Sequence, residues 1–366
     1  MTRHRFHALC PYLAMFPESF AEQWIRRLTK PADIVLDPFS GRGTTALTAL
    51  LCGRHAISSD VNDVAVCLTK AKTTPPSLKR LRARLTELRK EFDPKAWRKQ
   101  AADADEFFQY AYASATLQQL LYLRAALDWK GSRVDNMIAA LTLGSLHGET
   151  SSKRYLSNQM PRTISTKPRY SVNFWKDRNL VAPERDVFDV LGDMATFRYE
   201  SPIPTGESVV LQTDMRNLPR VIESTPRRPL RCAITSPPYL NVTSFEEDQW
   251  LRLWFLGGLP HPKKGSVSRD DRHGTADNYW SFIGDMWRSL GAVMSGDAHV
   301  VIRIGSRKIS PEALRRGLAG CAQFSGRKVK LVSHRVTEIG KRQTDAFRPG
   351  TKGCVVELDC HFKFDR

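Results

Sequence analysis

Asp33-Ile-Val-Leu-Asp-Pro-Phe-Ser-Gly-Arg-Gly-Thr-Thr45 is the stretch that decides the fold. Its first five residues form a short apolar run ending in an acid, the pattern of a buried strand. Pro38 to Gly43 is a glycine-containing turn. Thr44 to Cys52, rich in alanine and leucine, reads as a helix that Gly53 ends. His55–Asp60 is a second strand ending in an acid, and 62–72 is a second helix. Upstream, residues 18–29 carry apolar positions at helical spacing and stop before Pro31. Strand, helix, strand and helix in this order predict an α/β chain with a parallel sheet.

Working outward, Pro75-Pro76 breaks the pattern. A basic helix is expected over 77–92, and largely apolar helices over 105–127 and 133–147. Residues 151–185 are polar, basic and aromatic, with prolines at 161, 168 and 183. A stretch of this length is too long for a connecting loop, so 75–205 is read as a mostly helical insertion. The sheet resumes at Ser208–Gln212 and Cys232–Ile234. A helix follows over Trp280–Met294, a strand over Ala298–Ile304, and the last two strands near 328–332 and 354–362. Residues 257–278 read as a long loop. One domain is thus expected from 1–74 and 206–366, with the insertion between.

The 366 residues carry a formal net charge of +18, and the isoelectric point is about 9.8. The excess is spread over blocks of +7 at 71–100, +6 at 151–180 and +10 at 301–353. Such a balance favours a polyanion, nucleic acid first. No uninterrupted apolar run reaches the ~20 residues that span a bilayer, and the first residues lack the apolar core of a secretion signal. Seven cysteines lie far apart without a framework, which points to free thiols in a reducing cytoplasm. Cys354, Cys360 and His361 lack CxxC spacing, so no metal site is expected.

The turn at 37–45 suits a nucleotide-like cofactor. Glycines permit close backbone approach, and a helix N-terminus offers free N–H groups. It lacks Gly-Lys-Ser/Thr, so a phosphate cradle is disfavoured. Asp37 repels phosphate but suits an ammonium group. Asp60, closing the next strand, is placed to accept ribose hydroxyls, or else to cap the following helix. Asp214, after the strand at 208–212, is placed to accept from an adenine amino group. Acids at these positions without a phosphate cradle fit S-adenosylmethionine better than NAD.

Thr235-Ser-Pro-Pro-Tyr239 belongs at the carboxyl end of a strand, the edge where open α/β sheets take ligands. Its prolines fix φ and lack N–H groups, which leaves carbonyls free to accept hydrogen bonds from an amine. Tyr239 offers a flat face for stacking.

Together these segments resemble the amino-group DNA methyltransferases, which modify N4 of cytosine or N6 of adenine. Residues 37–45 resemble their motif I and 235–239 their catalytic motif IV. His7-Ala-Leu-Cys-Pro-Tyr-Leu-Ala-Met-Phe-Pro17 is similar to motif X, and Asp60 and Asp214 match the acids of motifs II and III. The resemblance covers roughly 7–72 and 208–305. It implies a Rossmann-like SAM-dependent methyltransferase sheet, with S-adenosyl-L-methionine held by Phe16, Pro17, Asp37, Phe39, Ser40, Gly41, Gly43, Thr44, Thr45, Asp60, Asp214 and Met215. Ser236, Pro237, Pro238 and Tyr239 are the implied catalytic residues. Ser-Pro-Pro-Tyr is typical of the N4-cytosine enzymes, whereas many N6-adenine enzymes have Asp-Pro-Pro-Tyr. The cofactor motif precedes the catalytic one here, the reverse of many Ser-Pro-Pro-Tyr enzymes.

The implied reaction methylates the exocyclic amine of a cytosine flipped from duplex DNA. Tyr239 stacks on the base, while the Ser236 side chain and the Pro237 carbonyl accept from the amine. There is no Pro-Cys pair for C5 chemistry. Trp250, Trp254 and Phe255 are expected in the core, and His147 in a structural role. Arg154, Arg162, Lys167 and Arg169, interleaved with Tyr155 and Tyr170, are the expected DNA contacts, with Asn158 and Gln159 available for base reading. Loop 257–278 is a second DNA-contact candidate. N6-adenine methylation is the alternative on this scaffold. An RNA amino-group methyltransferase and a non-catalytic DNA-binding module are further alternatives. The resemblance leaves room for a cognate restriction or defence-system protein, and the sequence names none.

Overall fold

The computed structural model describes residues 3–12, 16–149, 151–160, 167–223, 229–240, 245–262, 275–306, 309–338, 354 and 356–365. The chain divides into two compact units. A sheet unit comprises 14–69, 204–244 and 266–366, and a helical unit comprises 1–13, 70–203 and 245–265.

The sheet unit opens with α1 (Glu18–Leu28), β1 (Ile34–Asp37), α2 (Thr44–Leu51), β2 (His55–Asp60) and α3 (Asp63–Thr73). The chain passes into the helical unit within α3. There follow α4 (Leu78–Glu91), α5 (Pro94–Ala102), α6 (Glu106–Ala111), α7 (Ser114–Ala126), α8 (Arg133–Ser145), α9 (Pro168–Lys176) and α10 (Val187–Arg198). Back in the sheet unit come β3 (Ser208–Gln212), a 3-10 turn (Met215–Asn217), α11 (Leu218–Ile222) and β4 (Leu230–Thr235). The short helices α12 (Phe245–Asp248) and α13 (Trp250–Phe255) belong to the helical unit. The sheet unit closes with α14 (Ala276–Val293), β5 (Met294–Gly305), α15 (Pro311–Cys321), β6 (Val329–Glu338) and β7 (Val356–Phe364).

Among the described residues the sheet has the order β3-β2-β1-β4-β5-β7-β6. β1 to β5 pair in parallel, and β7 is antiparallel to both neighbours. Side chains alternate across a strand, and the core divides accordingly. Val35, Cys232, Ile234 and Val301 pack on one face with Phe20, Ala21 and Ile25 of α1 and Ala46 and Ala49 of α2. Ile34, Leu36, Ala233, Val300 and Ile302 pack on the other with α14 and α15 through Ile283, Met286, Trp287, Leu314 and Leu318. Helices on both faces of a mostly parallel sheet make the fold α/β and Rossmann-like. The order runs both ways from the β1–β4 pair, and ligands of such sheets bind outside the carboxyl ends of strands at that point.

The helical unit is built from amphipathic helices. α4 buries Leu81, Leu85 and Leu88, spaced by four and three residues, and exposes its basic face. α8 is buried from Asp135 to Ser145. A Cβ at Gly144 would stand 2.2 Å from the Leu9 carbonyl oxygen. That close approach draws residues 3–12 into this unit. Phe108 packs on Trp254 with centroids 4.5 Å apart, and Phe107 on Trp250 at 5.0 Å. Arg252 donates to the Leu143 carbonyl at 3.2 Å.

Among the described residues, 3–12 and 245–262, expected with the domain of 1–74 and 206–366, group with the helices. The helix expected over 105–127 is two, because Tyr112 and Ala113 are extended between α6 and α7. Of 151–185, the described helical portion is α9. Trp250, Trp254 and Phe255 are buried, as is His147.

Candidate active site

The turn after β1 is held by hydrogen bonds that cross it. Gly41 N–H donates to Asp60 Oδ2 at 2.9 Å, Ser40 N–H to the Ser59 carbonyl at 2.9 Å, and Gly43 N–H to the Ser40 carbonyl at 2.7 Å. Gly43 has a φ of 75° and caps α2 without a side chain. A Cβ there would also meet Thr69 Oγ1 at 2.8 Å, so sterics and backbone conformation both require glycine. Asp60 accepts from Asn62 N–H at 3.0 Å as well. Burial raises its pKa, against the N–H groups of Asn62, Gly41 and Val61.

Asp37 is 2 % exposed at the end of β1. Its Oδ1 accepts from the Thr235 hydroxyl at 2.7 Å and from Phe39 N–H at 3.2 Å. Burial pushes its pKa up to about 6, against the hydrogen bonds from Thr235, Thr45 and Phe39, while the Asp60 charge adds to the rise. Thr45 Oγ1 donates to the Ile234 carbonyl at 3.2 Å. The β1 turn and the β4 end are therefore stitched together by two threonines. Asp37, Thr45, Asp60 and the segment from Thr235 come to one sheet edge, at the carboxyl ends of β1, β2 and β4.

Beyond β4, Ser236 and Tyr239 are partly buried, Pro237 is buried and Pro238 is exposed. Leu240 then pairs with Ser306 in a parallel bridge. The Tyr239 hydroxyl donates to Glu357 Oε1 at 3.1 Å, and Ser236 Oγ lies 3.5 Å from it. Burial first, and the Glu357 charge next, drive the tyrosine phenol well above its ordinary range. Glu357, Arg303, Asp359 and Gly305 were not singled out from the sequence. The available signals were a lone arginine in the apolar run Val300–Ile304 and two acids spaced by two in the last strand, hence on one face.

The remaining cofactor candidates differ in setting. Phe16 is buried against Phe20, with centroids 5.1 Å apart, and Pro17 is exposed at the start of α1. Phe39 packs on Phe282 at 5.4 Å. Ser40, Thr44 and Thr45 are buried. Asp214 caps the 3-10 turn, and Arg216 contacts both its oxygens at 2.9 and 3.1 Å. Met215 lies in the core.

The nucleic-acid candidates belong to the helical unit. Arg154 is exposed, with its guanidinium 4.4 Å from the Phe197 ring centroid. Lys167 and Arg169 are exposed at the start of α9, where cations oppose the helix dipole. Helix stability therefore does not account for their position. Arg162 lies outside the described residues, as do 263–274 of the candidate loop. The expectation for Asn158 is corrected. It is 2 % exposed, and its amide donates to the carbonyls of Tyr110 and Leu180 at 3.2 and 3.1 Å. Those bonds hold its donors inside the fold and away from a base edge.

The sheet order, with ligand-edge motifs at the ends of β1 and β4, defines a Rossmann-like α/β fold. Residues 4–71 match the family model N6_N4_Mtase, described as DNA methylase. The Type II methyltransferase M.MjaII of Methanocaldococcus jannaschii is 27% identical over 87 residues, which are 24% of this chain and 16% of that protein. Both matches support the amino-methyltransferase family and agree with the resemblance carried by the motifs. Among solved structures, TrmN from Thermus thermophilus aligns with a TM-score of 0.39 and 13% identity, over 99% of this chain and 52% of its own. The rRNA methyltransferase aviRa from Streptomyces viridochromogenes aligns at 0.35 and 13%, over 98% and 92%. Likenesses this remote do not bear on substrate.

Proposed function

We propose that this chain is an S-adenosylmethionine-dependent DNA methyltransferase that acts on the exocyclic N4 amine of a cytosine flipped out of the duplex. The observation that carries the reading is the 2.7 Å hydrogen bond from Thr235 to Asp37. It ties the segment bearing Ser236 and Tyr239 to the glycine turn of the cofactor motif, at the edge where such sheets bind ligands.

The residues present suit the cofactor. Asp37 is a buried carboxyl whose ionised form gains from a cationic partner. Gly41 and Gly43 add no side chain to the turn at their positions. Asp60 presents a second carboxylate at the next strand end. These residues would hold S-adenosylmethionine, which supplies the methyl group as an electrophile when bound.

The chain's own work is recognition and positioning. Tyr239 stacks on the flipped base. Ser236 Oγ and the Pro237 carbonyl accept hydrogens from the amine and turn its lone pair toward the methyl. The prolines supply no competing N–H. Ser236 in place of an aspartate favours cytosine, on the resemblance to N4-cytosine enzymes. Basic residues such as Arg154, Lys167 and Arg169 serve the phosphates.

The test is methyl transfer from isotope-labelled S-adenosylmethionine to duplex DNA by purified wild type, Ser236→Ala and Tyr239→Ala. The expected result is labelled DNA with wild type, loss of turnover in both variants, and cofactor affinity close to wild type in all three. Equal activity in either variant overturns the assignment of that residue, and an inactive wild type overturns the function.

A further inference from the structure

Tyr239 lies between Pro238 and Leu240, after β4 and outside the helices and strands of the sheet unit. The antiparallel pairing of β5 and β7 sets Gly305 opposite Glu357 and Arg303 opposite Asp359. All four positions therefore share one face of the sheet. Glu357 divides its oxygens. Oε1 accepts from the Tyr239 hydroxyl at 3.1 Å, and Oε2 meets Arg303 at 3.1 Å.

Arg303 is itself immobilised. Asp359 takes its Nε at 2.6 Å and a terminal nitrogen at 2.8 Å, and its guanidinium lies 4.0 Å from the Phe20 ring centroid. Beneath the tyrosine, a Cβ at Gly305 would stand 2.9 Å from Tyr239 Cε2 and 3.1 Å from the Val356 carbonyl. The ring thus rests on the one residue that leaves room for it, while its hydroxyl is anchored at the far end.

A buried acid–arginine cluster is a poor device for stability, because desolvating its charges offsets most of their attraction. Burial indeed raises Glu357 against the pull of Arg303 and Tyr239. What the cluster does supply is direction.

We propose that Glu357 is a positioning residue for the methyl-transfer reaction: held by Arg303 and Asp359, it grips the Tyr239 hydroxyl and fixes the ring in the plane that receives the flipped base. The inference rests on the methyltransferase reading and extends it to β7, which the catalytic motif does not include. Orienting the ring before the base arrives removes an ordering cost from the step that aligns the amine.

Single-turnover and steady-state methylation of duplex DNA test this with Glu357→Ala, Glu357→Gln, Tyr239→Phe and the Glu357→Ala/Tyr239→Phe double variant. Glu357→Ala and Tyr239→Phe are each expected to lower kcat about tenfold, the loss of one hydrogen bond to an ionised group. The cofactor Kd and the DNA KM are expected to stay within about twofold. Glu357→Gln keeps an oxygen acceptor and is expected to recover most of kcat. The double variant is expected to match the singles, because both remove the same bond.

An unchanged kcat in Glu357→Ala, a glutamine variant as impaired as the alanine, or multiplying effects in the double variant would each overturn the proposal. If Glu357→Ala fails to fold, Tyr239→Phe and Gly305→Ala carry the test, and full activity in both rejects it. Wild type assayed alongside separates the two levels. Methylation by wild type with an unaffected Glu357→Ala rejects this inference alone, whereas an inactive wild type rejects the underlying reading and this inference with it.

Discussion

Asp37→Asn separates two roles of one carboxyl. In the fold Asp37 is 2 % exposed, and burial carries its pKa up to about 6, while an unfolded aspartate titrates near ~3.9. A carboxyl raised in this way contributes stability that is fully present below the unfolded value and lost as pH rises through the folded one. A rise of about two units corresponds to about 3 kcal/mol lost between acid and neutral pH, and about half of that falls between pH 5 and pH 8. Asparagine has the same shape and no charge. Its Oδ1 still accepts from Phe39 N–H, and the hydroxyls of Thr235 and Thr45 accept as well as donate. The unliganded variant is therefore expected to be more stable than wild type at pH 8 by about 1–3 kcal/mol, with the gap closing as pH falls toward 4. Cofactor binding should move the other way and weaken tenfold or more, because the cation loses its counter-charge. Urea unfolding from pH 4 to 8 and calorimetric titration with S-adenosylmethionine measure the two effects. A variant less stable than wild type at pH 8, a gap that does not change with pH, or wild-type cofactor affinity would refute the reasoning.

Two further perturbations probe other links. Thr235→Val removes the hydroxyl that donates to Asp37 at 2.7 Å and leaves a buried carboxylate short of a donor. It should lower stability by about 1–3 kcal/mol at pH 8 and by less at pH 5, where the carboxyl is mostly protonated. Thermal melts at both pH values check this, and equal losses would count against the bond. Arg154→Glu with Arg169→Glu should weaken duplex binding and make the plot of log affinity against log salt shallower by about 2. Fluorescence anisotropy across a salt series reads that slope, and an unchanged slope would remove these residues from the interface.

The fold was legible where local rules act. The Asp33–Asp60 stretch shows two strands, a glycine turn and a helix in periodicity and turn chemistry alone, and β1, α2 and β2 follow it closely. Segment 235–239 stood out as a candidate only beside the acids at 37, 60 and 214 and through its resemblance to a known motif, because a proline turn alone is common at a strand end. Features set by distant partners were not legible. Residues 3–12 join the helical unit because Gly144 admits the Leu9 backbone, a contact no periodicity announces. α10 and α15 are capped by Asp186 and Ser310, but the proline-rich and basic stretches beside them obscure their periodicity. Asn158 seemed an exposed polar residue in a basic segment, but the carbonyls of Tyr110 and Leu180 claim its amide. Glu357 is separated from Tyr239 by more than a hundred residues and meets it through the β5–β7 register. Its contact with Tyr239 becomes visible once that pairing is known.

The central claim is that Ser236 and Tyr239 hold a cytosine amine for methylation. Nucleoside mass spectrometry of DNA from a methylation-free host expressing the wild-type chain tests it most directly. N4-methylcytosine, absent when the Ser236→Ala variant is expressed instead, is the predicted result. N6-methyladenine as the modified base, or DNA with no methylated base, would contradict the account.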